Sequence, residues 1–544
     1  MLKYDIIKAS LSYGVIIMFK PYEEDESVAF GDFDVNLPKS IVEELDQGWP
    51  GKFKTHIFDN IDEYKFADMY SEDEGRPCFP VKVITSLEVL KHLLDLSDKE
   101  LLASFHCDIR FMKAVGLKRA GQLTLGMRTI YDFRENLVDY MAETGENPLD
   151  EIFNELLAEF LEVAELDTDI QRMDSTMVKA NIKHLSRIQL MRKVFENFVR
   201  ELSKSQKNKI HKNILQILDD SFSEYLNNHE KEDILNNLLG KLNSVKQIFK
   251  NDDSINDTRV YHHLCRVVEE QSVETSSQLK AKDDAEIESS SLQNPNDEDA
   301  TFRKKGLKSH QGYSCNISET ASPDNPVQMI TDVSVEPNIN SDVDFLNDRL
   351  EEINIKAPVD KLVVDGAYYG SDSVKSSLKT ETEIIPTELT GRNPKYSTAN
   401  FTLSDKQGII SCPMGQKPER DKYLESSDTY AAWFDKETCK DCEFRSKCPV
   451  SEQKKSMTVR FTQKRHDRDK LRAKLAGEEY QEIKNSRAAV EGTFSALKRA
   501  QGLDKFKVTG LLKAKCSSVY KMIGYNLKQL VRALKMKSKP GICT

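Results

Sequence analysis

Three carboxylates and two cations carry the chemistry open to this sequence. Glu491 lies in 485–500, on a helix read as continuing from Glu478. At about 100° per residue, Ile483, Val490, Phe494 and Leu497 form one apolar stripe, with Arg487, Glu491 and Lys498 along its flank. Asp365 stands where the apolar run Leu362-Val363-Val364 stops and a glycine turn begins at Gly366. Open α/β sheets place their sites at such carboxyl ends of strands. Asp174 lies where 166–180 breaks the helical period, and a strand is read through it. Carboxylates from two strands and one helix can converge on a pair of hard divalent cations. Mg²⁺ takes oxygen ligands and leaves positions for waters and substrate phosphates. Two such ions about 3.5–4 Å apart activate a water or a 3′-hydroxyl and stabilise the leaving oxygen of an in-line displacement at phosphorus. Taken singly, Arg487 and Glu491 also fit an i,i+4 ion pair on a solvated helix, and each aspartate a cap or turn. No Ser/His/Asp order, Walker loop or dinucleotide fingerprint competes.

A second constellation is Cys412, Cys439, Cys442 and Cys448, all within 390–472. Cys439 and Cys442 have knuckle spacing, and Cys412-Pro413-Met414-Gly415 can supply half of another. Four thiolates suit a tetrahedral structural Zn²⁺; free thiols are the alternative. Ten cysteines without an export signal indicate a reducing cytoplasm, not a disulfide framework. Trp433, in the same segment, fits core packing or stacking on an unpaired base.

These groups must be positioned by a chain of 544 residues, room for two to four domains. No apolar run approaches the roughly 20 residues that span a bilayer. Met18 reads as an alternative start, with the preceding residues an upstream extension. Residues 451–544 hold 23 Lys and Arg against 8 Asp and Glu, a balance of +15; the chain's net charge is −11, so the remainder sums to −26. A basic C-terminal segment on an acidic protein is a footprint for a polyanion. Within it, 460–472 and 505–539 can neutralise several phosphates.

From Pro80 the pattern is helical. Val83, Leu87, Leu90 and Leu94 recur at helical spacing, and Ser97 with Glu100 forms a capping box. A helix over 129–143 points Ile130, Phe133 and Leu137 inward and leaves Arg128 and Arg134 available outside. Such short helices fit a DNA-docking module or a plain bundle. Residues 182–288 read as long polar helices ending in low-complexity 269–300, a flexible linker. Strand signals resume after Arg303-Lys304-Lys305. Residues 312–319 and 327–335 form a hairpin, 341–353 a capped helix and 383–386 a further strand. The order strand, strand, strand, helix, strand, helix, strand is an α/β layout with a mixed sheet.

Asp174-Ser175-Thr176, Asp365-Gly366-Ala367-Tyr368-Tyr369-Gly370, and Arg487 with Glu491 and Lys498 resemble the three signature blocks of DDE transposases from bacterial insertion sequences, of the R-x3-E-x6-K signature branch. Arg76-Pro77-Cys78-Phe79-Pro80, Thr129-Ile130-Tyr131-Asp132-Phe133-Arg134, the run from Ala300 to Gly306 and Gln311-Gly312-Tyr313 are similar to one such family. The likeness spans most of 75–534. The choice of Asp174 over Asp167 or Asp169 rests on it.

The resemblance implies an α+β/α/β mixed fold with a ribonuclease-H-like catalytic core of 166–180, 301–389 and 473–535. Around it stand an N-terminal extension (1–74), a helical DNA-binding domain (75–165), a helical insertion with a disordered linker (181–300), a β-rich cysteine-containing insertion (390–472) and a tail (536–544). It implies that Asp174, Asp365 and Glu491 bind Mg²⁺ or Mn²⁺ and that Arg487 and Lys498 hold DNA phosphate. The family block has a Tyr three residues before the Arg; here that position is Lys484, with Tyr480 one turn earlier. The implied function is Mg-dependent cleavage and strand transfer of an insertion sequence. Its partners are terminal inverted repeats and target DNA, bound by at least a homodimer in the bacterial cytoplasm at the nucleoid, with no membrane. The alternatives are an inactive, domesticated DNA-binding derivative and a nuclease on the same core.

Overall fold

The structure, a computed structural model, describes residues 17–538 apart from 73, 220–228, 276, 277, 390 and 392. The alternative-start expectation concerns the residues before Met18, of which all but Ile17 lie outside those described. The protein is mixed α/β, with two compact units: Met1–Val359 with Val490–Thr544, and Asp360–Ala489.

The first unit is built on four strands: β1 (Ile170–Lys179), β2 (Thr301–Lys305), β3 (Lys308–Thr320) and β4 (Ile330–Pro337). All pair antiparallel around β3, with Asp174 opposite Ile317. The sequence reading found the β3–β4 hairpin but not β2, whose basic residues hid its strand pattern. Gly312 permits the close β1–β3 approach: its φ is +145°, and a Cβ there would lie 2.4 Å from the Val178 carbonyl oxygen.

Strand alternation sorts the two faces of this sheet. One face carries Arg172, Asp174, Thr176 and Val178 beside Glu319, Ile317, Cys315 and Tyr313. The other carries Gln171, Met173, Ser175 and Met177 beside Thr320, Ser318, Asn316 and Ser314, and is covered by the Asp342–Lys356 helix. There Gln171 donates to the Ala357 carbonyl at 2.8 Å and Ser175 to Asp342 at 3.0 Å.

The Asp174 face shares one apolar core with the helices Val81–Leu93, Met127–Thr144, Pro148–Ala164, Val490–Gln501 and Leu511–Lys537. Val81–Leu93 is buried along nearly its whole length, Glu88 included. Arg134, expected to be available outside, instead neutralises Glu88 at 2.6 Å and reaches Asp98 at 2.7 Å. A buried carboxylate needs such a partner, so this arginine is committed to the core. The Ser97 capping box forms as expected. Gly524 lets the C-terminal helix cross closely, since a Cβ would stand 2.9 Å from that of Leu93.

The insertion after β1 has its own apolar core among Arg187–Glu201, Lys231–Phe249 and Arg259–Gln271. The 269–300 stretch is not the flexible linker its composition implies. Ser272–Thr275 pairs with Gln278–Ala281, Arg266 donates to the Ser290 carbonyl at 2.8 Å, and Leu292, Asn294 and Asp297 are buried. Its polar groups are spent on internal hydrogen bonds: Asp297 accepts from Tyr313 at 2.5 Å and from the Gly510 N–H at 3.1 Å.

In the second unit β5 (Lys361–Val364) pairs parallel with β6 (Glu383–Pro386) through the Ser371–Thr380 helix. Then β7 (Arg420–Leu424), β8 (Thr429–Phe434) and β9 (Met457–Thr462) form an antiparallel sheet with the short strand Ser451–Glu452. Two helices follow, Gln463–Leu475 and Glu478–Ser486. The single helix expected from Glu478 is interrupted by a 3₁₀ turn, Arg487–Ala489, before Val490–Gln501. Ser486 donates its hydroxyl to the Ile483 carbonyl at 2.6 Å, a local bond that competes with the helical ladder.

Candidate active site

In the first unit, the Val490–Gln501 helix is fastened to the Asp174 face at two points. Arg172 pairs with Glu319 at 2.7 Å, and Glu319 accepts from the Thr493 hydroxyl at 2.8 Å. Further along β1, Lys498 donates to the Thr176 hydroxyl at 2.6 Å. Asp174 stands between Arg172 and Thr176 on this face, half-buried, and accepts from the Ser175 N–H at 2.9 Å. Val490, Phe494 and Leu497 are buried as the apolar stripe predicted, as is Ile483 on the preceding helix, while Glu491 is exposed in the first turn. Burial holds the Lys498 ammonium below the usual lysine range. Burial raises the Glu319 carboxyl, and Arg172 opposes that rise.

The structure also separates the competing aspartates. Asp167 precedes β1 and is occupied in a turn, accepting from Ser322 at 2.6 Å and from the Asp169 N–H at 2.9 Å. Asp174 is inside the strand. Glu319 went unnoticed in the sequence. The available signal was a charge at an inward position of a strand whose alternate residues are Tyr313, Cys315 and Ile317.

In the second unit, Asp365 follows β5 directly and precedes the 3₁₀ turn Gly366–Tyr368. Leu362, Val363 and Val364 are fully buried, which anchors the carboxylate at the strand end. The Asp365 side chain remains half-exposed, with the Arg487 guanidinium 3.6 Å away. Tyr480 hydrogen-bonds Glu383 at 3.1 Å, and the ammonium groups of Lys361 and Lys474 lie over its ring at 5.9 and 5.2 Å.

Cys412, Cys439, Cys442 and Cys448 line one small cavity of the second unit with Phe434, Phe444 and Val450. Burial raises the Cys439 thiol to about 11, and the charges of Cys448, Cys412 and Cys442 push it the same way. Gly415 closes the first turn, its N–H donating to the Cys412 carbonyl at 2.9 Å. Among the described residues no group of three or more His, Cys, Asp or Glu side chains is arranged to hold a metal ion. Trp433 is half-buried, with the Arg420 guanidinium 5.0 Å over its ring. No helix among the described residues is long and apolar enough to cross a membrane.

A mixed α/β fold with one carboxylate inside a strand, one at a strand end and one on a helix defines a broad class. Comparison with known families narrows it. A family described as Transposase DDE domain matches residues 411–531, and one described as Transposase domain (DUF772) matches residues 43–136. Both matched segments, 121 and 94 of the 544 residues, are transposase domains, and together they indicate a DDE-type transposase, an enzyme of DNA transposition. The first match contains Arg487, Glu491, Lys498 and the four clustered cysteines; Asp174 and Asp365 lie outside it. No curated protein and no solved structure matches the chain.

Proposed function

We propose that the protein cleaves the ends of an insertion sequence and joins them to target DNA, using Asp174, Asp365 and Glu491 on a ribonuclease-H-like core. The observation that carries this reading is the fastening of the Glu491 helix to the Asp174 face of β1, through Thr493–Glu319–Arg172 and Lys498–Thr176. The carboxylates come from two compact units, so their meeting is part of the proposal.

The donor set fits hard cations: Asp174 and Asp365 are partly accessible and Glu491 is exposed. Mg²⁺ or Mn²⁺, when bound, would lower the pKa of a water and stabilise the leaving oxygen. Arg487 and Lys498 would neutralise the phosphate, and the short reach of Lys498 to Thr176 holds its ammonium in place. Water attack at the element's end gives a free 3′-hydroxyl, which then attacks target DNA. Two ends held together require at least a homodimer on DNA. Purified protein, Mg²⁺ and duplexes carrying the terminal inverted repeats test this. Wild type should nick and join, and Asp365→Ala should do neither. Nicking retained in Asp365→Ala would sink the assignment; wild-type nicking without joined products would favour the nuclease alternative, and binding without nicking the inactive derivative.

The four cysteines fit Zn²⁺ in number and chemistry, and the thiols of Cys439 and Cys448, raised by burial, are ones that a metal would deprotonate. Their side chains would have to close further onto one point, since no metal-holding group stands among the described residues. Elemental analysis of the purified protein should find one zinc per chain, lost in Cys442→Ser.

A further inference from the structure

The β2–β3 hairpin ends in a tip that the catalytic reading does not use. Gly306, at φ +61°, and Leu307 form its two-residue loop. Leu307 is fully exposed, at 101%. Lys305 and Lys308 stand directly opposite each other, and Lys304 flanks them. Like charges in that register repel, and a bare leucine at a loop tip gains nothing from folding. All three lysines are exposed, and no acidic side chain among the described residues pairs with them. The positive field is concentrated. His310 is held below the usual imidazole range by burial first, then by Lys179, Lys308, Lys305 and Lys498. The strip therefore runs within one compact unit from the Lys498–Thr176 contact to the tip.

We propose that this tip is a DNA wedge, with Lys305 and Lys308 on the two backbone strands and Leu307 inserted from the minor groove into a base step. The inference rests on the transposase reading and deepens it. Cationic flanks around an apolar point match the chemistry of side chains that unstack and kink a duplex. The partner is nucleic acid because the surface offers only positive charge to the phosphates. The proposal lays the duplex along β3 with the cut phosphate at Asp174, and that sets the reach. Ile317, opposite Asp174, lies nine residues along β3 from Lys308, about 30 Å of strand. At about 3.4 Å per base pair, the wedged step lies about nine base pairs from the cut phosphate.

The test uses the full-length protein and duplexes from the DNA flanking the coding frame, each with 2-aminopurine at one position. Wild type should raise the fluorescence at a step about nine base pairs from the cut site. Leu307→Ala should abolish that rise while cleavage chemistry on pre-bent DNA persists. Lys305→Gln with Lys308→Gln should lower the salt slope of binding by about two, one phosphate contact each. An unchanged fluorescence profile in Leu307→Ala, or an unchanged slope in the double variant, overturns the wedge while leaving the transposase reading intact. Altered self-association without altered DNA binding overturns it in favour of a protein contact. If wild type neither binds nor cuts these duplexes, the transposase reading fails and the wedge falls with it. Circular dichroism should match wild type in every variant, because the tip packs on nothing.

Discussion

Lys498 reaches 2.6 Å across to Thr176, joining the helix that carries Glu491 to the strand that carries Asp174. The contact holds a cation whose proton affinity burial has already weakened. Such an ammonium gains by taking a phosphate oxygen as partner, because the anion restores the stabilisation that burial removed.

Lys498→Ala should therefore reduce end cleavage by about 10²–10³-fold, the usual loss for a preorganised charge at a reacting phosphate. Thr176→Val should cost much less, because it removes only the positioning bond. Single-turnover cleavage of labelled ends measures both, and equal losses in the two variants would refute the distinction.

Arg172 and Glu319 form a buried pair, at 4% and 0% exposure, beneath the candidate site. Arg172→Ala leaves the Glu319 charge uncompensated and should destabilise the first unit by about 3–5 kcal/mol. Arg172→Met combined with Glu319→Gln should recover much of that loss. Urea unfolding of Arg172→Ala, Arg172→Met, Glu319→Gln and the double variant is the check, and a double variant equal to the sum of its two singles would show that the pair is not coupled.

Arg487 lies 3.6 Å from Asp365 and presents a fork suited to phosphate. Arg487→Ala should lower the salt slope of end binding by about 0.9, one phosphate contact, whatever the base sequence. Titrations at several ionic strengths decide this; a change confined to one sequence would point to base readout instead.

Burial lowers the Lys521 ammonium to about 8, from an ordinary 10.5, and the lysine donates to the Gln501 carbonyl. Below about pH 8 the lysine is charged both folded and unfolded, and the burial penalty is felt in full. Between about 8 and 10.5 only the unfolded chain keeps the proton, so this group's contribution rises with pH, by on the order of 3 kcal/mol. The stability difference between wild type and Lys521→Met should shift toward wild type across that window. Denaturation midpoints at pH 7 and pH 10 measure it, and a difference that stays flat would contradict the burial account.

The sequence by itself determined the local elements and their chemistry. A break in the helical period marked the strand around Asp174, a continuous apolar run the strand ending at Asp365, and the 3.6 period the stripe through Val490, Phe494 and Leu497, because burial leaves its trace in residue type; the choice of Asp174 itself rested on the family resemblance. The grouping of Cys412, Cys439, Cys442 and Cys448 was legible from spacing, and the structure places all four around one cavity. Tertiary structure alone decided which charged groups are spent. Arg134 looked free and is committed to Glu88; 269–300 looked disordered and is pinned through Arg266 and Asp297; Glu319 looked incidental and fastens Thr493 to β1. The physical reason is common to the three. A polar side chain's role depends on which partner the folded chain brings within hydrogen-bonding reach, here 16 to 174 residues away, and no local pattern records that distance.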